Sequence, residues 1–241
     1  MIAGQEKDRL DSIAKTSLYA TPTGVLTIKY SYSIFKRYLT DVVDVLEMGP
    51  AEGIMTESLV SDGFKVTCVE ASEFFCKALK ERFPDLEVHN VLFENFNPTK
   101  KYGAIILGHV LEHVDNPVEI LKMARNWIHP KSGKILAAVP NAKSLHRQAA
   151  VAMGLISSEY TMSEKDVHHG HRRIYDHESF ARDFTDAGFK IEKMGGYWIK
   201  PLPDKQLEEQ WSNGQLEAYM QLGERYPEIA AEIYVVARSD S

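Results

Sequence analysis

Two sets of residues in this 241-residue chain have the type and spacing to do chemistry. In the first, an acid is interleaved with small residues (Glu47, Gly49, Ala51, Gly53), and Glu70 follows where the next apolar run ends. Glycine lets backbone N–H groups come close to a ligand that a Cβ would hold off. A carboxylate after the second strand can accept both hydroxyls of a ribose, the logic of nucleotide binding. In the second set, imidazoles stand beside arginines: Gly108-His109 and Glu112-His113 in one segment, His168-His169-Gly170-His171-Arg172-Arg173-Ile174-Tyr175 in another. Imidazole gains and loses a proton near neutral pH and suits a general base, whereas the planar guanidinium suits a phosphate or carboxylate. Together the sets describe a nucleotide-like cofactor held beside an acid–base centre.

Such sets work only if the chain delivers them to one place. The pattern predicts a strand over 42–46 running into a turn and a helix over 54–61. That turn gathers free N–H groups and a positive dipole end. A second strand over 65–69 leads to a helix over 73–83, stopped by Pro84, and a third strand follows over 86–89. Next come an apolar segment over 91–96, a strand over 102–107, a helix over 118–128 and a strand over 134–139. The run at 102–107 is apolar on both faces, as a central parallel strand should be. Strand–helix alternation implies an α/β fold with a parallel sheet and right-handed crossovers, whose ligand sits at the carboxyl ends of the strands. The segments around Gly49–Gly53, Glu70 and Gly108–His113 all fall at such ends.

The remaining chain frames this unit. Residues 5–40 read as two helical pieces broken at 19–24, an N-terminal helical lid (1–40) on a main domain (41–241). The second piece packs on the sheet, or one of its aromatics or Lys29 reaches the cofactor. An insertion over about 141–176, helical over 142–155, carries the second histidine cluster. Those histidines and arginines read as a base with an anion clamp, or as a structural turn. A metal bound through His168, His169 and His171 is the weakest alternative, since adjacent imidazoles rarely converge on one ion and no cysteine assists; no metal is expected. The charge is −6, with 28 basic against 34 acidic residues and no basic block, so nucleic acid is not an expected partner. No run approaches the ~20 apolar residues that span a bilayer, and the charged start, Met1 to Arg9, is not a signal peptide. Cys68 and Cys76 read as core thiols in a reducing cytoplasm.

The set V-L-E-M-G-P-A-E-G, V-T-C-V-E-A-S, Y-G-A-I-I-L-G-H-V-L-E-H-V-D-N-P and A-A-V-P-N-A resembles class I S-adenosylmethionine-dependent methyltransferases, in the small-molecule branch with an h-V-L-E-H-v motif after the fourth strand. The resemblance implies a Rossmann-like methyltransferase fold: a seven-stranded, mostly parallel sheet with helices on both faces and one antiparallel strand, the last two strands lying over 190–194 and 233–238. It also implies S-adenosylmethionine as cofactor. Glu47, Gly49, Ala51 and Gly53 match the loop that holds its methionine part, and Glu70 matches the ribose-binding acid. Leu92 and Phe93 stand where the family contacts adenine, and Gly108 and His109 beneath the sulfonium. Glu112 and His113 match the first turn of the next helix, where they cap it or where His113 acts as base. His171, His169 and His113 are the candidate bases, and Arg172, Arg173 and Tyr175 the candidate acceptor contacts. Tyr197 and Trp198 line the acceptor pocket or belong to the core, and the helical tail after them offers core or homodimer contacts. The activity implied is O- or N-methylation of a small, anionic or sugar-containing biosynthetic metabolite. A non-catalytic cofactor-binding subunit and a macromolecular acceptor are the alternatives.

Overall fold

A computed structural model describes residues 3–16 and 20–239; Met1 and Ile2 of the charged start and Tyr19 at the expected break lie outside them. Five runs pair in parallel: β1 (Asp44–Met48), β2 (Lys65–Val69), β3 (Glu87–His89), β4 (Ala104–Gly108) and β5 (Lys134–Pro140). With β6 (Phe189–Tyr197) and β7 (Glu232–Ser239) they form one sheet in the order β3-β2-β1-β4-β5-β7-β6. Only β7 opposes its neighbours, pairing antiparallel with β5 and β6, the arrangement the resemblance implied. The order reverses between β1 and β4, so the chain leaves these strands toward opposite faces and opens a crevice at their carboxyl ends.

Period-two alternation divides the strands between two cores. Leu46, Ile105, Leu107 and Ile135 face a layer containing α5 (Pro117–Trp127) and α8 (His177–Asp186), where they meet Trp127, Phe180 and Phe184. Val45, Ile106, Leu136 and Val236 face α2 (Pro22–Lys36), α3 (Ile54–Ser61) and α10 (Asn213–Gly223), meeting Phe35, Leu59 and Met220. Each such side chain, fully withdrawn from water, contributes about 1.5–3 kcal/mol. The interior strands are therefore fixed rigidly, and their ends can hold a site.

The expected break near residue 22 is a helix start. Thr21 accepts from the Gly24 N–H and Pro22 occupies the first turn of α2, where its missing N–H costs nothing. The preceding helix α1 (Ala3–Ala14) straps across the strand ends. Lys7 reaches Asn90 Oδ1 at 2.9 Å beyond β3, and Asp11 accepts from Ser72 Oγ at 2.6 Å at the start of α4 (Glu73–Arg82). Glu6 accepts from Arg172 at 3.0 Å on the opposite side. The insertion contains α6 (Leu145–Ala152) and α7 (Glu164–His168), so its helix is shorter than expected; Gly154, at φ +70°, turns the chain out of it. After β6, α9 (Asp204–Gln210) and α10 return the chain to β7.

Candidate active site

A crevice of about 390 Å³ lies at the β1–β4 switch point, within the range of small-molecule sites. Its floor is the turn from β1 into α3. Gly49 has φ +68°, and a Cβ there would sit 3.0 Å from Val110 Cγ2. Ala51 also adopts a left-handed φ of +46°, a conformation that costs an L-residue roughly 1–2 kcal/mol. The backbone thus takes a glycine-like shape even where the sequence has alanine. Glu47 and Glu70 flank the turn and are buried. Thr56 donates to Glu47 at 2.7 Å, and the N–H groups of Ser72 and Ala51 donate to Glu70 at 2.8 and 3.3 Å. Burial pushes both carboxyls up to about 7, although these hydrogen bonds oppose it. Two desolvated acids on either side of bare main chain suit a ligand that brings a cation to one and a diol to the other. Leu92, Phe93, Gly108 and His109 also line the crevice.

Beneath it, β4 ends in a polar cluster. His109, at φ +58°, lies with Nδ1 3.6 Å from Glu112 and 3.7 Å from Glu232, and its Nε2 is 3.3 Å from the Tyr197 hydroxyl. Burial lowers the His109 pKa, but Glu112 and Glu232 more than offset it and the net shift is upward. Burial likewise opposes ionisation of Glu112, yet His109 and the nearby imidazoles hold its carboxyl below the usual range. The carboxyls around His109 thus favour its protonated form, while burial pushes Glu232 up to about 7.

The imidazoles above behave differently. His113 and His169 line the crevice, and burial pushes each down to about 4, leaving a neutral ring with a lone pair at pH 7. His171 is not in the lining: it stands behind His113, edge to face, with ring centroids 4.7 Å apart and planes at 83°. Glu112, His113 and His171 each bring one ligand atom to within 4.8 Å of the others, the spacing of atoms that could surround a cation. This trio differs from the three-histidine set weighed from the sequence, because His168 turns away to the Thr16 carbonyl at 3.0 Å.

The expected acceptor contacts are placed elsewhere. Arg172 donates to the His113 carbonyl at 2.8 Å and pairs with Glu6 and Asp115. Arg173 spans the carbonyls of Leu111, Val114 and Asp115. Both guanidinia brace the loop carrying Glu112 and His113. The Tyr175 hydroxyl bonds Asp183 at 2.7 Å, away from the crevice. Tyr197 and Trp198 are fully buried and absent from the lining, Tyr197 stacking on Tyr30. The sequence suggested a helical lid but not which of its residues meet the crevice: Glu6, Leu10, Ile13 and Ala14 of α1, with Ile28 of α2, line it. Their apolar spacing signals a packed helix face but not what it packs on. Glu94 and Asn95 add polar groups to the lining beside Leu92 and Phe93.

Comparison with known proteins decides the family. The methyltransferase domain family matches residues 19–194. The chain is a class I S-adenosylmethionine-dependent methyltransferase of that family. Among curated relatives, the ubiquinone biosynthesis O-methyltransferase of Rickettsia typhi is 24% identical over 179 residues, 71% of this chain and 70% of that enzyme. The Rickettsia canadensis enzyme is 23% identical over 160 residues, 64% of this chain and 65% of its own length. Among solved structures, the plantazolicin methyltransferase BpumL in complex with SAH superposes with a TM-score of 0.60 at 14% identity, covering 99% of this chain and 100% of that one. A SAM-dependent methyltransferase from Archaeoglobus fulgidus gives 0.58 at 16% identity, covering 88% and 94%. No helix among the described residues is long and apolar enough to cross a membrane.

Proposed function

We propose that this methyltransferase transfers a methyl group to a hydroxyl of a small, largely apolar metabolite, with Glu47, the 49–53 main chain and Glu70 holding the cofactor and His113 facing the acceptor. The observation that carries this reading is the lining of the crevice: two buried acids and a left-handed turn on one side, neutral imidazoles beneath an apolar roof on the other. The sulfonium supplies an already activated methyl group when bound. Glu70 holds a ribose diol, Glu47 an ammonium, and α1 excludes water. His113 stands where it can accept the acceptor's hydroxyl proton, with His169 beside it as a second base. Orientation and water exclusion supply several kcal/mol of the barrier reduction.

The ubiquinone biosynthesis O-methyltransferases among the relatives support oxygen as the methylated atom. The anionic or sugar-bearing acceptor expected from the sequence has less support. Arg172 and Arg173 are engaged with main-chain carbonyls and carboxylates, and Leu10, Ile13 and Ile28 give the crevice that His113 lines an apolar share. A non-catalytic role fits poorly with neutral imidazoles aimed into the crevice. Release of S-adenosylhomocysteine should be measured with phenols and catechols bearing apolar substituents and, in parallel, with sugar nucleotides. Turnover with the first set supports the reading. Turnover confined to the second overturns it.

A further inference from the structure

The insertion after β5 contains a carboxylate that serves two purposes. Asp166 lies at the third position of α7 and completes a capping box: its Oδ2 accepts from the Ser163 N–H and Oγ, each at 2.7 Å. Arg147 approaches the same oxygen at 3.4 Å. A cap needs only that one oxygen. The other, Oδ1, lies 3.1 Å from His171 Nδ1, and the His171 N–H donates to the Asp166 carbonyl at 2.9 Å. His171 is therefore pinned to Asp166 through both main chain and ring. Its ring is nearly inaccessible to solvent and packs edge to face on His113, which lines the crevice.

This geometry constrains which nitrogen of His171 carries the proton. A carboxylate accepts only, so a neutral His171 places its N–H at Nδ1 and keeps its lone pair at Nε2. One ring nitrogen of His171 lies within 4.8 Å of ligand atoms of His113 and Glu112; with Nδ1 committed to Asp166, Nε2 is the nitrogen left to serve the polar cluster at the base of the crevice. We propose that Asp166, acting through His171, is a positioning residue for methyl transfer: it fixes the His171 tautomer, and His171 in turn orients His113 to receive the acceptor's proton. The inference rests on the O-methyltransferase reading given above. In the step it serves, a lone pair on the acceptor oxygen forms the bond to the methyl carbon. The carbon–sulfur pair stays on sulfur as a neutral thioether, and the hydroxyl proton passes to His113. The new imidazolium is stabilised by the Glu112 carboxylate and the His171 lone pair. Without Asp166, His171 can present an N–H there, which opposes a charged His113.

The test compares Asp166→Asn, Asp166→Glu and His171→Gln with the parent. Asparagine keeps an oxygen for the Ser163 cap, and His171→Gln leaves the cap untouched, so a folding defect separates from a positioning defect. Readouts are kcat and KM for the acceptor, calorimetric affinity for S-adenosylhomocysteine, melting temperature, and the ¹⁵N shifts of the His171 ring in the S-adenosylhomocysteine complex. Expected for Asp166→Asn and His171→Gln are a loss of tenfold or more in kcat and a cofactor affinity within about twofold of the parent. Asp166→Glu should recover part of kcat, and the ¹⁵N shifts should report Nδ1–H in the parent and its loss in Asp166→Asn. The ring shifts need no acceptor, so they test the tautomer on which the positioning claim stands even if the parent methylates no hydroxyl. An Nε2–H tautomer in the parent, or unchanged kcat in both variants, overturns the proposal. So does turnover abolished by chelator and restored by a divalent cation, which would make the trio a metal site.

Discussion

Replacing Glu70 probes the cofactor side most sharply. Its carboxylate is buried at 8% exposure and held by two N–H donors, Ser72 at 2.8 Å and Ala51 at 3.3 Å. It is therefore placed before any ligand arrives and needs no reorganisation to grip a diol. Hydrogen bonds to a charged group are worth about 1.5–3 kcal/mol each. Two ribose hydroxyls at the low end of that range give about 3 kcal/mol, or roughly 150-fold in affinity. Glu70→Gln keeps the shape, loses the charge and turns a donor toward either the diol or the Ala51 N–H. Calorimetry should show S-adenosylhomocysteine binding weakened by about two orders of magnitude. The melting temperature of the ligand-free variant should be equal to or above the parent's, because a desolvated acid with a raised pKa opposes folding at neutral pH. Affinity within threefold of the parent would refute the ribose assignment. A large fall in melting temperature would show instead that Glu70 chiefly supports the fold.

Other predictions follow from the same geometry. Because burial raises Glu47 and Glu70 to about 7 in the free protein and a bound ammonium and diol favour their ionised forms, cofactor affinity should rise with pH up to about 7 and then level. Binding at about pH 6 should release protons, detectable by calorimetry in buffers of different ionisation enthalpy. The ligand-free protein should lose stability over the same window, since unfolded glutamates ionise near 4.5 and the buried pair does so only near 7. Gly53→Ala places a Cβ 2.6 Å from Leu79 Cδ2 at a φ of +74°; strain of about 1–2 kcal/mol should lower the melting temperature by about 2–8 °C. Arg173→Ala frees three carbonyls of the loop carrying His113; a stability loss of about 2 kcal/mol with kcat reduced more than cofactor affinity is expected from parallel melting and kinetic assays.

The parallel strands and their order along the chain were legible because they are local. A both-faces-apolar run such as Ala104–Gly108 between turn signals suits a central parallel strand, and small residues after an acid at a strand end mark a turn with bare main chain. The antiparallel β7 came from the resemblance, not from any periodicity. What stayed hidden depends on partners far away in sequence. Arg172 and Arg173 look like an anion clamp until the fold sets them against carbonyls about sixty positions away and against Glu6. Trp198 looks like a pocket wall until Tyr197 is seen stacked beneath α2. The roof was read as a helical lid, but nothing in α1 itself names Ser72, Asn90 and Arg172 as the points it straps together.

The central claim is that the β1–β4 switch point holds an adenosyl cofactor. A crystal structure of the protein grown with S-adenosylhomocysteine tests it most directly. The ribose should lie on Glu70, the amino group against Glu47, the adenine beside Leu92 and Phe93, and the thioether over Gly108 and His109. Ligand bound elsewhere with this crevice filled by side chains, or a ribose out of reach of Glu70, would contradict it.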